Sequence, residues 1–162
     1  MEKNSLKAIL EIENEGKEFE VLSLDYELSL PINNNYKPST SAARGGIINF
    51  AIRSPLKKTL LFHDWLLHPI KTGVKNGKFT LPLTHRTEQE LKELSFTDAY
   101  CINLHESYSA SDTSQMYMRI TIVAKTITFS ENVKFEQSVP DWIMRAPTRT
   151  NTPTNPPRAN TR

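Results

Sequence analysis

The chain has few of the residue patterns on which disulfide scaffolds, metalloproteins and membrane proteins depend. Cys101 is the only cysteine among 162 residues, so neither an intrachain disulfide nor a thiolate metal cluster can form. No stretch approaches the roughly 20 apolar residues that span a bilayer, and the start of the chain has no apolar signal-peptide core. These absences predict folding in a reducing cytoplasm, without Sec export and without direct membrane insertion.

The sequence also has no recognisable catalytic, cofactor or metal motif. His63 and His68 are five residues apart, which separates them by about 140° on a helix and prevents them from sharing a metal. Asp64 beside His63 does not make a triad, and Gly45 with Gly46 does not have the spacing of a phosphate-binding loop. Nothing local lowers the pKa of Cys101, which favours a structural thiol. We therefore predict no enzyme activity and no cofactor.

Charge argues against a nucleic-acid surface. The formal net charge is +2, and residues 141–162 alone contribute +3 because they hold four arginines against Asp141. The rest of the chain is thus slightly acidic, whereas nucleic-acid surfaces are clustered and basic.

Alternating apolar residues predict seven strand-like segments. The first two form a hairpin through a turn at residues 14–17, and the return strand changes phase near Val21 and Leu22, which predicts a β-bulge. In segment 94–108 we expect an apolar face at Phe96, Tyr100, Ile102 and Leu104. The opposite face, expected to be small and polar, has Ala99, Cys101, Asn103 and His105.

Residues 54–69 form the one long segment with a helical period. Ser54, Pro55 and Pro69 supply the expected start and stop signals. A broad stripe is predicted to cover the sheet, comprising Leu56, Leu60, Phe62, Leu66, Leu67 and Ile70. Leu61 and Trp65 lie outside this stripe, which suggests that a second partner buries them.

These elements predict a mainly β fold, an antiparallel β-barrel or sandwich with one flanking α-helix. Residues 31–44 are rich in Asn, Ser and Pro and are expected to form a long exposed loop. Residues 1–139 would form the domain. Residues 140–162 hold half of the ten prolines among Thr, Asn and Arg, and we expect a disordered tail.

The order of the pieces resembles one known family. An opening hairpin, LKAILEIENEGKEFEVLSLDYEL, is followed by the loop KPSTSAARGG and the strand IINFAI. One helix then precedes KELSFTDAYCINLHESY and MYMRITIVAKTITFSENVKFEQ. Together they resemble the Hcp (TssD) tube protein of type VI secretion systems in its Bacteroidetes form, over about residues 5–138. The proline-rich tail departs from the compact ending of that family.

The resemblance implies a structural subunit that assembles into hexameric rings. Such rings stack as the inner tube of a contractile injection machine, and leave the cell with effectors without a signal peptide. Implied partners are further copies of the chain, the sheath, spike and baseplate proteins, and secreted effectors. Two alternatives stay open. One is an Hcp-like adaptor or effector carrier that binds a partner through its lumen or C-terminal tail, and the other is an enzyme or small-ligand barrel, of which the ligand barrel predicts a monomer with a closed apolar cavity.

Within this resemblance, three groups of residues are candidate sites. The ring-stacking candidates in the long loop are Asn33, Asn34, Asn35, Tyr36 and Lys37. The candidates for the interface between subunits are Lys58, Leu61 and Trp65. The candidates that line the lumen are Asn103, His105 and Ser107. The alternatives are an ordinary mobile loop, packing under a local loop and an ordinary solvated strand face, respectively.

Overall fold

The computed structural model describes residues 7–38, 43–55, 60–85, 88–110 and 116–137. Two helices lie in these ranges, α1 (Leu61–Leu67) and α2 (Pro69–Thr72). The strands, in chain order, are β1 (Ile9–Ile12), β2 (Glu18–Tyr26), β3 (Ile47–Arg53), β4 (Lys75–His85), β5 (Glu88–Ser107), β6 (Tyr117–Ser130) and β7 (Val133–Glu136).

The strands close into an antiparallel barrel. Their order is β3-β2-β1-β4-β5-β6, and β6 pairs back onto β3, so that six strands complete the circle. The short strand β7 pairs with the far end of β6. Closure removes the free edges that an open sheet would expose. The predicted mainly β fold with few helices is confirmed.

Two β-bulges decide which side chains enter the core. The register between β2 and β3 shifts between Val21 and Ser23, as the sequence predicted, and leaves Leu22 exposed. Because of this extra residue, Phe19 and Val21 face the core and Leu24, two residues beyond the bulge, packs against it as well.

The second bulge overturns the predicted faces of β5. The register with β6 shifts between Cys101 and Asn103, and Ile102 is exposed there. Ala99 and Cys101 are buried in the core, not on a polar face. After the bulge, Leu104 packs against the core and Asn103 is exposed. The sequence assigned one phase to the whole strand, whereas the core-facing phase changes twice: once between Phe96 and Ala99, where the register with β4 shifts, and again at Ile102.

The barrel interior contains a chain of aromatic rings that α1 completes. Phe62 lies 5.0 Å from Phe19 and 6.3 Å from Phe50 between ring centroids. Phe50 in turn lies 5.1 Å from Phe79. Trp65 packs beside Phe62 at 6.4 Å. The side chains of Phe62 and Trp65 are both fully buried, so α1 is held against the barrel by large aromatic surfaces.

The predicted helix is wrong in its bounds and in its buried face. It begins at Leu61, because Ser54 leaves β3 with its hydroxyl donating to Glu106 and its amide donating to the Met116 carbonyl. Residues 56–59 lie outside the described residues. Leu60, Leu67 and Ile70 are strongly exposed, and Trp65 is fully buried. A helix of seven residues presents one short face, and Phe62 and Trp65, three residues apart, occupy it.

Replacing Trp65 with Ala tests this packing. We expect Trp65→Ala to lower the free energy of unfolding by about 3–5 kcal/mol, since the cavity left behind adds to the lost burial. The control is Leu22→Ala in β2, where the side chain is 49% exposed, and a change within about 0.5 kcal/mol is expected. Urea unfolding followed by circular dichroism measures both values. Equal losses for the two variants would contradict the assigned faces.

Candidate functional site

The outer face of the barrel carries a line of polar side chains across four strands. Asp25, Asn49, Thr121 and Asn103 lie opposite one another in the register of β2, β3, β6 and β5. The Asn49 amide donates to the Asp25 carboxylate at 3.0 Å, and the Thr121 hydroxyl donates to the Asn49 carbonyl at 2.8 Å. Strand alternation produces this line, because the neighbouring residues Ile48, Phe50, Ile120 and Ile122 are buried.

The polar line widens along β5 and β6. His105 lies opposite Arg119, and Ser107 lies opposite Tyr117. The Arg119 guanidinium is 5.7 Å from the centroid of the Tyr117 ring. We call the surface formed by Asp25, Asn49, Asn103, His105, Arg119 and Thr121 the polar wall. The three predicted lumen residues therefore share one sheet face, two of them in the polar wall, and their place in a lumen stays a prediction.

The tip of the long loop is a hydrogen-bonded turn. Ser29 bridges to Arg44 and Ile32 to Pro38, so the loop starts as a narrow two-stranded projection. The Asn33 side-chain oxygen accepts hydrogen bonds from the amides of Asn35, at 3.0 Å, and Lys37, at 3.1 Å. Such side-chain bonds stabilise a turn from within. The five predicted stacking residues thus form one turn.

Tyr36 is the most prominent side chain of this turn. Its φ of 58° places it in the left-handed region, and its amide donates to the Asn33 carbonyl at 3.0 Å. The side chain is 87% exposed. A large amphipathic ring held out on an ordered turn is suited to contact another molecule.

Two exposed apolar surfaces lie elsewhere on the subunit. The first, which we call the helix patch, consists of Leu60, Leu67 and Ile70. The second, which we call the ribbon patch, is the outer part of the β4–β5 hairpin, where Leu91 is exposed on the face that it shares with its partner Pro82 and Leu83 is exposed on the opposite face. There β4 has passed the end of its pairing with β1 at Thr80, and β5 has not yet met β6 at Ser95. Within the described residues, this ribbon pairs with no third strand.

The structure separates the three interface candidates. Lys58 lies outside the described residues. Trp65 belongs to the subunit's own core, so the suggestion that another partner buries it is wrong. Leu61 is half-buried and lines a shallow groove with Leu60, Glu15 and Lys75, and its role between subunits stays a prediction.

Sequence reasoning missed a polar cluster that holds the helix to the barrel. Glu106 accepts a hydrogen bond from the Ser54 hydroxyl at 3.1 Å and lies 3.5 Å from Nε2 of His63. The serine donates to the carboxylate and not to the imidazole, so the cluster does not have the order of a nucleophile activated by a base. Long sequence separations hide it, since Ser54 and Glu106 are 52 positions apart.

Other site chemistry is limited in the part of the chain that the structure describes. No group of three or more His, Cys, Asp and Glu side chains among these residues is placed to hold a metal ion. Within the same ranges, each helix is too short or too polar to cross a bilayer.

The comparisons with known proteins that found a match identify one protein family. A family model described as hemolysin coregulated protein Hcp (TssD) matches residues 4–139. The structure is similar to Hcp1 from Flavobacterium johnsoniae, with a TM-score of 0.63, 24% identity, and 82% of this chain and 100% of that chain covered. It is also similar to Hcp1 from the E. coli EAEC 042 pathovar, with a TM-score of 0.57, 10% identity and coverage of 82% and 98%. No curated protein matches the sequence.

Cys101 offers a chemical test of the core. Burial raises the pKa of its thiol to about 11, despite a backbone hydrogen bond with Asn103 that acts in the opposite direction. At pH 8 the thiol is therefore protonated in the folded protein, and we expect iodoacetamide to label it far more slowly than in urea. Because the unfolded thiol ionises first, the stabilisation from this burial is also lost as the pH rises from about 9 towards 11. Equal labelling rates with and without urea would contradict the buried position.

Proposed function

The chain belongs to the hemolysin coregulated protein (Hcp, TssD) family, and we propose that six copies close into a ring and that the rings stack. The family forms the tube of type VI secretion systems, so this chain is a tube subunit with a structural role. The observation that carries this conclusion is the match over residues 4–139, which contains the whole barrel and both helices.

A closed ring needs two different surfaces on each subunit, because its contacts run head to tail. The helix patch and the ribbon patch provide two such surfaces. A two-stranded ribbon alone is marginally stable in water, and exposed Leu83 and Leu91 gain when a neighbour covers them. We propose that the helix patch, with Leu61 at its margin, packs against the ribbon patch of the next subunit.

The polar wall is our candidate for the lining of the channel. Asp25, Asn49 and Thr121 are hydrogen-bonded to one another across the sheet, and a polar surface of this kind is stable in contact with water without a permanent partner. Asn103, His105 and Ser107 would then face the lumen and contact secreted effectors. Sheath, spike and baseplate proteins would contact other surfaces of the tube, which would assemble in the cytoplasm and then be expelled from the cell.

Ring stacking is assigned to the turn at the tip of the long loop. Its internal hydrogen bonds hold the turn in one conformation, which lowers the entropy that ordering it against the next ring would cost. Tyr36 supplies the exposed contact surface. This arrangement separates the contacts within a ring from those between rings.

Two charged substitutions test the head-to-tail ring. We expect Leu67→Asp in the helix patch and Leu91→Asp in the ribbon patch each to give folded monomers, since a buried carboxylate opposes the contact. An equal mixture of the two variants retains one intact pair of surfaces and should form heterodimers but no rings. Native mass spectrometry distinguishes these species.

Leu22→Asp is the matched control, because Leu22 is an exposed apolar residue on a bulge outside both patches. It should form rings like the unaltered protein. Rings from Leu67→Asp or Leu91→Asp alone would refute the assigned surfaces, as would a mixture that stays monomeric.

A separate substitution tests stacking. Tyr36→Ala should leave ring mass unchanged and reduce release of the protein into the medium by cells with an active type VI machine, because single rings do not extend a tube. Tyr108→Ala, also strongly exposed but outside the turn, is the control and should be released normally. Normal release of Tyr36→Ala, or loss of its rings, would remove Tyr36 from the stacking contact.

A further inference from the structure

Beside the polar wall, the same sheet face has an apolar row. Ile47 of β3 lies opposite Val123 of β6, and Val123 lies opposite Tyr100 of β5. Ile47 is 48% exposed, and the other two are half-buried. An exposed apolar row next to a polar surface is a common feature of binding sites.

The described chain comes to its end close to this row. The Gln137 amide donates to the Lys125 carbonyl at 2.8 Å, and its side chain donates to the Gly45 carbonyl at 2.9 Å. Lys125 is two residues along β6 from Val123, which corresponds to about 7 Å. Gly46 makes this close approach possible, because a Cβ there would collide with the Gln137 side chain.

The sequence that follows lies outside the described residues, so the disordered tail expected at residues 140–162 stays a prediction, but its first part has the complementary composition. Trp142, Ile143 and Met144 are consecutive apolar residues in a segment otherwise rich in Pro, Thr and Arg. Trp142 lies five positions after Gln137, and five residue steps span up to about 17 Å, which exceeds the distance to the apolar row. The segment therefore reaches the row of its own subunit without needing a second copy.

The charges of the groove beside Ile47 and of the tail segment are also complementary. The groove beside Ile47 is lined by Asp25, Glu27 and Arg44, two acidic groups against one basic group. Arg145 directly follows the apolar residues of the tail, and Arg149 lies four residues further along the chain. A basic side chain next to an apolar anchor matches an acidic groove next to an apolar row.

We propose that Trp142, Ile143 and Met144 dock on the apolar row of their own subunit, with Arg145 directed to Asp25 and Glu27. Docking needs only one chain and so does not depend on ring assembly. Its consequence rests on the proposed function: if this face lines the tube, each subunit carries a built-in peptide on the channel wall. Effectors would then compete with that peptide for the wall.

The test uses the full chain with both tryptophans replaced by 5-fluorotryptophan. Fluorine NMR gives two resonances, which Trp142→Phe assigns, and buried Trp65 serves as an internal reference for the folded state. A soluble nitroxide radical broadens the fluorine resonances of side chains that are accessible to solvent. We expect the Trp142 resonance to broaden several-fold less than in a free peptide of residues 138–149, and equally little after dilution.

Variants on the wall locate the docking site. Ile47→Asp should restore broadening to the level of the free peptide, and Glu27→Lys should restore part of it. Ser23→Asp is the matched control, since it adds the same charge to β2 opposite Ala51, remote from the row, and should leave Trp142 protected.

The Trp65 resonance reports in each sample whether the variant is folded. A Trp142 resonance that broadens in the full chain as it does in the peptide would overturn the proposal. So would protection that survives Ile47→Asp and Glu27→Lys, or that disappears on dilution, which would indicate a second copy as the docking partner. A protected Trp142 in a protein that forms no rings would leave this inference intact and refute the proposed ring.

Discussion

The pairing of β3 with β6 is the interaction on which the other features depend. It joins residues about 70 positions apart in the sequence over seven register pairs, from Ile47 with Val123 to Arg53 with Tyr117. This pairing closes the barrel, and the same alternation places Asn49 against Thr121 on the outside and Ile48 against Ile122 on the inside. The polar wall and the apolar row are therefore two consequences of one strand register.

The short helix shows how the core and the assembly surfaces constrain each other. Phe62 and Trp65 fill the barrel against Phe19 and Phe50. In a helix of two turns that points its aromatic residues inward, Leu61 and Leu66 reach only the margin of the core, and the remaining side faces away from the barrel. Leu60 and Leu67 are consequently exposed, and they supply the apolar surface that a ring contact needs. Core packing thus determines which residues are available to a neighbour.

The strands, their antiparallel arrangement and the bulge in β2 could be predicted, because alternation is a local signal and Leu22 interrupts it visibly. The bulge at Ile102 could not, since both phases of β5 look plausible until pairing with β6 fixes one. The helix face was wrong for a related reason. Helical periodicity ranks leucine and tryptophan alike as apolar, but the shape of the barrel interior selects the aromatic rings.

The candidate sites likewise differ in how far they could be predicted from sequence. Asn103, His105 and Ser107 share a face because strand periodicity is reliable over five residues. The cluster of Ser54, His63 and Glu106 needed coordinates, because side-chain hydrogen bonds across long separations leave no pattern in sequence. The turn at Asn33 needed them for another reason: its hydrogen bonds are local, but three consecutive asparagines do not reveal which one holds the turn. The central claim is that head-to-tail contacts close this subunit into a ring. Light scattering of the unaltered protein in solution, with negative-stain images of the same sample, tests it most directly: the account predicts a hexamer mass and annular particles, and a monomer at high concentration would contradict it.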